Sequence, residues 1–168
     1  AVTGVQTCAL PIWVLACRDD CFQSVVIAAA RSLAAGGFTD ILLIGDNGGS
    51  QAGLRAVADK LGREWAGTGV RVFALTDYYD KGHQALDAYL EATYGWDAAT
   101  IGSHGGIADT SQLMYASPQQ VRADQLARSR DDREGSGVTG DPTKAKPEIG
   151  MRALAFKVDA GIAQYRNQ

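Results

Sequence analysis

The chain has 168 residues, a formal net charge of −3 and 46% hydrophobic residues, values typical of a domain that buries a core of ordinary size. The mildly acidic balance and the lack of a Lys/Arg block exclude the usual electrostatic features of proteins that bind nucleic acid or anionic membranes. This charge balance favours small molecules or proteins as partners. Cys17 and Cys21 form neither a zinc motif nor a disulfide framework, so we expect reduced cysteines and a cytoplasmic protein.

The first thirteen residues, AVTGVQTCALPIW, carry no charge. A secretory signal would begin with a basic region, and a membrane span would need about twenty apolar residues without an interruption such as Pro11. Residues 2–12 instead match the translation of a common sequencing-library adapter without a mismatch. We therefore interpret residues 1–13 as a non-native, adapter-derived segment, and we expect residues 14–168 to form a single domain whose natural first strand is missing.

Apolar periodicity predicts helices that alternate with short buried strands from residue 22 onward. A first helix, ended by Gly36-Gly37, is followed by a strand at 41–44, a Gly-rich turn, a second helix and a second strand at 70–75. A third helix precedes a predicted strand end at 100–103. This alternation is typical of crossover units, so the predicted fold class is α/β with a mostly parallel sheet.

Three further features are predicted beyond residue 104. Ser117-Pro118 and Gln120 mark a helix start, because serine, proline and glutamine suit the cap, the first position and the third position. Residues 127–147 are poor in apolar side chains and predict a long surface loop. The last helix is predicted to dock on the sheet through an apolar stripe formed by Met151, Leu154, Ala155, Val158, Ile162 and Tyr165.

Candidate functional residues follow the ends of predicted strands, where parallel sheets place their ligands. The turn after the first strand either is capped by Asp46 or Asn47 or binds an anion through the amides after Gly48-Gly49. The stretch HGGIADTSQLM begins at His104 and places Asp109 at a helix start. There Asp109 either caps the helix or faces the same cleft as His104.

Four stretches, in order along the chain, resemble motifs of the creatininase family of metal-dependent amidohydrolases. HGGIADTSQLM is similar to the pattern H-x-G-x-x-E-T-S-x-M-L, and GVTGDPTKAKPEIG is similar to a G-V-x-G-D-P-x-x-A loop before the last helix. LLIGDNGGSQ is similar to a strand-ending NGHGGN turn, and TGVRVFALTDYY is similar to the family's second strand. Together the four stretches span most of residues 20–166.

The resemblance implies a three-layer α/β sandwich that assembles into a homo-oligomer and binds two divalent metals, zinc or manganese, at the strand ends. It also implies hydrolysis of the C–N bond of a small amide, cyclic amides such as creatinine included. In such enzymes a metal-bound water loses a proton near neutral pH and attacks the carbonyl, and a histidine passes a proton to the leaving nitrogen.

On this resemblance, His104 is the catalytic candidate and acts as a general acid and base. The metal-ligand candidates are Asp109, in the place of a glutamate, and Asn47, in the place of a metal-binding histidine. The backbone turns beside the substrate are expected to be shaped by Gly48, Gly49, Gly105 and Gly106.

Two departures from the family pattern lead us to expect an inactive fragment without stoichiometric metal. A neutral carboxamide at Asn47 is a poor substitute for imidazole toward zinc. The family's opening strand, with its acidic and histidine ligands, precedes the first helix, where this chain has the adapter-like segment. The alternatives are a non-catalytic α/β module that binds a small ligand or an anion at Gly48-Gly49, and an interaction protein that keeps the fold without the chemistry.

Overall fold

The computed structural model describes residues 19–168, so the adapter-like residues 1–13 lie outside the described part of the chain. The helices are α1 Asp19–Ala35, α2 Gln51–Glu64, α3 Asp77–Tyr94, α4 Ala98–Ile101, α5 Ile107–Ala116, α6 Leu126–Asp131, α7 Arg133–Ser136 and α8 Pro147–Arg166. The strands are β1 Asp40–Leu43 and β2 Arg71–Ala74. Short 3₁₀ turns lie at Gly48–Ser50, Pro118–Gln120, Ala123–Gln125 and Pro142–Lys144.

The described residues form two compact units. The strand unit comprises residues 19–81 and 158–168, and the helical unit comprises residues 82–157. The prediction of a single domain over residues 14–168 stays a prediction. Over residues 19–168, every helix lacks either the length or the apolar character that a membrane crossing requires.

The sheet of the strand unit is formed by β1 and β2, which run parallel with Ile41 opposite Val72 and Leu43 opposite Ala74. Ile41, Leu43 and Val72 are buried on one face of this sheet. They share a core with residues of α1 and α2, namely Ile27, Ala30, Leu54, Val57 and Leu61. The other face of β1 is open within the described part of the chain, since Leu42 is 42% exposed, so this strand is buried on one face rather than on both.

The opposite face of the sheet is contacted by the C-terminal residues of α8. Phe73 alternates with Val72 along β2, and its ring meets that of Tyr165 edge to face, with centroids 5.5 Å apart. The side-chain amide of Gln164 donates to the carbonyl of Ala74 at 3.1 Å and accepts from the amide of Asp77 at 2.9 Å. The strand unit is therefore a helix–sheet–helix sandwich, which confirms the predicted α/β class with a parallel sheet.

The core of the helical unit is built from α3, α5 and α8, with the end of α4. Its buried members are Leu86, Leu90, Ile101, Ile107, Ala108, Ile149 and Ala153. The spacing of Leu86 and Leu90 places both side chains on one face of α3, as the sequence predicts. The third helix predicted from the sequence is therefore α3, which begins at Asp77.

The strand end predicted at 100–103 is wrong, because these residues belong to α4 and the turn after it. The Asp97 side chain accepts a hydrogen bond from the amide of Thr100 at 2.8 Å, and the bonds from Thr100 lower the pKa of Asp97. Gly102, at φ 72°, then ends the helix. A short run of apolar residues does not distinguish a strand from a capped helical turn.

The surface loop predicted over 127–147 is also wrong in large part, because α6, α7 and the 3₁₀ turn at Pro142–Lys144 lie within it. Local side-chain bonds hold this segment. The hydroxyl of Ser136 donates to the carbonyl of Ser129 at 2.9 Å, and Asp141 accepts from the amide of Thr143 at 3.1 Å. Such bonds leave no apolar periodicity in the sequence. The helix predicted to start at 117 is likewise only the turn at Pro118–Gln120.

The buried face of α8 differs from the predicted stripe. Met151, Val158 and Ile162 are 50%, 48% and 43% exposed. The buried positions of this helix are Ile149, Gly150, Ala153, Lys157 and Gly161. A Cβ on Gly150 would collide with the carbonyl of Ser111, so small residues bring α8 close to its neighbours where larger ones would not fit. Lys157 is buried with its ammonium 2.8 Å from the amide oxygen of Gln112.

Candidate functional site

The turn formed by His104, Gly105 and Gly106 (the HGG turn) joins α4 to α5 in the helical unit. The amide of Gly105 donates to a carboxylate oxygen of Asp109 at 2.8 Å, and the hydroxyl of Thr110 donates to the carbonyl of Gly105 at 3.0 Å. Gly105 and Gly106 are buried. The sequence motif therefore folds into a closed turn, fixed from the first residues of the helix that it precedes.

The imidazole of His104 lies on the surface of this turn. His104 is exposed, and its ring makes no hydrogen bond or ion pair within the described part of the chain. Its backbone, by contrast, is bonded on both sides to Thr139, whose hydroxyl oxygen accepts from the amide of His104 at 2.9 Å. A fixed backbone with an exposed ring is an arrangement that allows proton exchange with a ligand.

Asp109 lies in the first turn of α5 and is half-buried. The N-cap of α5 is Gly106, without a side-chain cap bond, so the expectation that Asp109 caps this helix is wrong; Asp109 lies at the third helical position and accepts from the amide of Gly105. The role of Asp109 as a metal ligand stays a prediction, and one of its oxygens already accepts a backbone hydrogen bond.

Asn47, Gly48 and Gly49 lie in the strand unit, after β1. The side-chain oxygen of Asn47 accepts from the amide of Gly49 at 2.9 Å, and its carbonyl accepts from the amide of Ser50 at 3.2 Å. Gly48 lies against the ring of Tyr79, whose hydroxyl would be 3.1 Å from an added Cβ. The Asn47 side chain thus caps the turn, and its metal-binding role stays a prediction.

The structure brings His104, Gly105, Gly106 and Asp109 together within the helical unit. Asn47, Gly48 and Gly49 are brought together within the strand unit. The expectation that the two groups line one site stays a prediction.

A cavity of about 630 Å³ lies in the helical unit beside the HGG turn. Its polar lining comes from Asp87, Glu91, Asp97, Ser103 and Thr139, and Trp96 adds an aromatic wall. The Trp96 ring stacks on that of Tyr94 with centroids 4.3 Å apart. This cavity was not predicted from the sequence, where the i, i+4 spacing of Asp87 and Glu91 indicates only that the two carboxylates share one face of a helix.

The carboxyl of Asp87 has a perturbed acidity. Partial burial raises the pKa of Asp87, and the neighbouring His83 opposes this rise. Burial disfavours the charged form of a carboxyl, so the cavity wall resists negative charge at this position. A cationic or N–H-rich ligand in the cavity would stabilise the carboxylate.

The sequence matches the family described as creatinine amidohydrolase (Creatininase) over residues 14–164. The chain belongs to the creatininase family. The residues that carry the sequence resemblance, from the turn after β1 to the loop before α8, all fall within this match. A comparison with curated protein sequences gave no match.

Solved creatininases have the same fold. A tryptophan-to-phenylalanine mutant of a type II creatininase has a TM-score of 0.63 at 19% identity, covering 89% of this chain and 64% of that chain. The structure described as "Creatininase Mn" has a TM-score of 0.59 at 23% identity, covering 88% of this chain and 63% of that one. At these identities the likeness establishes the fold alone, and the chain spans less than two thirds of the length of these creatininases.

A site for the divalent metals that the resemblance implies requires several donor side chains close together. Among the side chains that the structure describes, those of residues 20–132 and 135–168, no group of three or more from His, Cys, Asp or Glu is arranged to hold a metal ion. A catalytic zinc site needs about three such protein ligands. The side-chain oxygen of Asn47 and one carboxylate oxygen of Asp109 each accept a backbone hydrogen bond instead. The described residues therefore do not fit a two-metal cage.

Proposed function

We propose that this chain is the proton-transfer part of a creatininase-family amidohydrolase that cleaves the C–N bond of a small amide, cyclic amides such as creatinine included. The observation that carries the proposal is the family match over residues 14–164, which contains His104 on a turn with a fixed backbone and an exposed ring. The protein is proposed to act in the cytoplasm as a homo-oligomer, on a small-molecule substrate.

The proposed chemistry of this chain is confined to the movement of protons. Hydrolysis of an amide forms a C–O bond from water, breaks the C–N bond and transfers a proton from the water to the leaving nitrogen. The His104 imidazole is the group proposed to accept that proton and return it, because a neutral imidazole is both a base and, once protonated, an acid near pH 7. Removal of such a group lowers the rate by about 10²–10⁴-fold.

The cavity beside the HGG turn is the proposed binding space for the substrate. Its volume of about 630 Å³ suits a small molecule, and Ser103, which precedes His104, lies in its wall. The carboxylates of Asp87 and Glu91 favour a substrate that presents N–H groups toward them. These features support a small nitrogen-rich amide over an anionic substrate.

The proposal includes metal dependence of the complete enzyme and inactivity of this chain by itself. It is supported by the donor set of the described side chains, which does not form a metal cage, and by the coverage of less than two thirds of the solved creatininases. An upstream segment that replaces residues 1–13 is proposed to supply the remaining ligands.

The experiment compares the 168-residue chain with a protein in which the in-frame genomic sequence upstream of codon 14 replaces residues 1–13. Both are assayed for bound metal by mass spectrometry and for hydrolysis of creatinine and other small amides. We expect metal and activity in the extended protein alone, and we expect His104→Asn to lower its kcat by about 10²-fold or more while His83→Asn does not. A folded extended protein without metal or activity would overturn the proposal.

The alternative of an anion-binding module at Gly48-Gly49 is less well supported. The amide of Gly49 is bonded to the Asn47 side chain and the amide of Ser50 to the Asn47 carbonyl, so both donors are already occupied. Thermal stabilisation by inorganic phosphate, without any effect of metal, would favour this alternative over the hydrolase.

A further inference from the structure

The loop G-V-T-G-D-P, which the sequence analysis singled out without a role, is bonded to the HGG turn through Thr139. The hydroxyl oxygen of Thr139 accepts hydrogen bonds from the amides of Ser103, at 2.7 Å, and of His104, at 2.9 Å. The amide of Thr139 donates to the carbonyl of His104 at 2.9 Å. Both polar backbone groups of His104 are therefore bonded to one residue.

The two segments approach each other so closely that side chains are excluded. A Cβ on Gly102 would overlap the carbonyl group of Thr139, and a Cβ on Gly106 would lie 2.5 Å from the same oxygen. Glycines on either side of His104 thus let the Thr139 backbone reach the turn. The close contact therefore depends on glycine at positions 102 and 106.

We propose that Thr139 is a positioning residue, which sets the place of the His104 imidazole through the two backbone bonds. The assignment rests on the proposed role of His104. A hydroxyl that accepts from two successive amides fixes the peptide plane between Ser103 and His104, and the return bond to the carbonyl of His104 fixes the next plane. The origin and direction of the His104 side chain follow from those two planes.

The chain offers variants that separate the hydroxyl from the shape of Thr139. Thr139→Val keeps the branched shape and removes the oxygen, whereas Thr139→Ser keeps the oxygen. Thr139 is exposed, so water can solvate the two released amides and the fold is expected to survive. Thr143→Val is the matched control, because Thr143 is an exposed threonine of the same loop whose hydroxyl bonds to Asp141.

The test is nuclear magnetic resonance of the 168-residue chain, which has two histidines, so that His83 serves as the internal reference. We expect Thr139→Val to speed exchange of the Ser103 and His104 amides by about tenfold or more and to shift the imidazole signals of His104 but not of His83. Thr139→Ser is expected to restore both, and Thr143→Val to change neither. Unchanged His104 imidazole signals in Thr139→Val, or no rescue by serine, would overturn the assignment.

A second arm uses the extended protein and separates this inference from the proposed function. Thr139→Val is expected to lower kcat by about tenfold with KM changed by less than about twofold, and Thr139→Ser to recover kcat. If the unsubstituted extended protein hydrolyses no amide, the proposed function fails while the resonance result still decides the position of His104. If it is active and Thr139→Val matches it in kcat, the assignment of Thr139 is wrong and the proposed function stands.

Discussion

Single glycines of the helical unit are required by contacts that differ from one position to the next. Gly102 and Gly95 both have a positive φ, 72° and 68°, and Gly102 also has a ψ of 177°, a backbone conformation that essentially only glycine adopts. Gly102 lies against the carbonyl of Thr139, whereas nothing lies within 4 Å of the place where a Cβ on Gly95 would be. Gly102 therefore combines a restricted backbone conformation with a collision, whereas Gly95 has a positive φ and open space.

We expect Gly95→Ala to lower the free energy of unfolding by about 1 kcal/mol, from the left-handed dihedral alone. Gly102→Ala is expected to lower it by at least about 2 kcal/mol more, because its backbone conformation is strained for alanine and the backbone of Thr139 also has to move away. Urea unfolding followed by circular dichroism measures both. Equal losses in the two variants would show that the Thr139 segment is not packed against Gly102.

The carboxyl of Asp87 gives a residue-scale prediction for pH. Its folded pKa is raised by partial burial, so its favourable contribution is present below the unfolded pKa and is lost as the pH rises through the folded pKa. We expect Asp87→Asn to raise the free energy of unfolding at pH 7 by less than about 1 kcal/mol, since water screens a partly exposed group. The gain is expected to shrink toward pH 4, as measured by urea unfolding at both values.

Asp159→Asn, at an exposed position of α8, is the control for loss of one negative charge. A gain in Asp87→Asn that is the same at pH 4 and pH 7 would contradict the raised pKa.

At the scale of elements, close packing determines which face of α8 is buried. Its sequence offers an apolar stripe through Met151 and Ile162, yet the buried face runs through Ile149, Gly150 and Ala153. Glycine and alanine allow close approach, and the gain from dense packing exceeds the gain from burying larger side chains at a distance. The exposed stripe remains on the surface of the described chain.

Two isoleucines of α8 test this choice of face. Ile149 is 1% exposed and Ile162 is 43% exposed, and both undergo the same change in Ile149→Ala and Ile162→Ala. We expect Ile149→Ala to lower the free energy of unfolding by about 2–5 kcal/mol and Ile162→Ala by less than about 1 kcal/mol. Chemical denaturation of the two variants measures both losses in the free energy of unfolding. A larger loss in Ile162→Ala would mean that the face predicted from the sequence is the buried one.

At the scale of the whole molecule, the chain belongs to the creatininase family and has its fold. The side chains that the structure describes hold no cluster of metal donors. The apolar cores of the two units are formed by side chains other than the candidate site residues.

We expect EDTA to change the melting temperature of the 168-residue chain by less than about 1 °C, because a metal that does not bind the native state adds nothing to its stability. Thermal unfolding with EDTA, and then with excess Mn²⁺ or Zn²⁺, is the measurement. A solved creatininase of the kind described with Mn is the positive control. A fall of several degrees on chelation would mean that this chain binds a structural metal.

The positions of α1, α2 and α3 and of both strands follow from the sequence, because apolar spacing reports directly on elements that bury one face or both. The same holds for the capping turn at Asn47, since asparagine has a strong preference for this position. The family could also be recognised from the sequence, because the motifs of the HGG turn and of the G-V-T-G-D-P loop occur in the same order as in the family. These features depend on interactions between residues close in the chain.

The tertiary structure alone decided α4, the helices within 127–147, the buried face of α8 and the cavity beside the HGG turn. It also decided the bond of Thr139 to His104, which joins residues 35 positions apart. Each of these depends on close packing or hydrogen bonds between distant segments, and such contacts impose no period on the sequence. Local spacing records which residues prefer burial, and only the assembled chain determines what they are buried against.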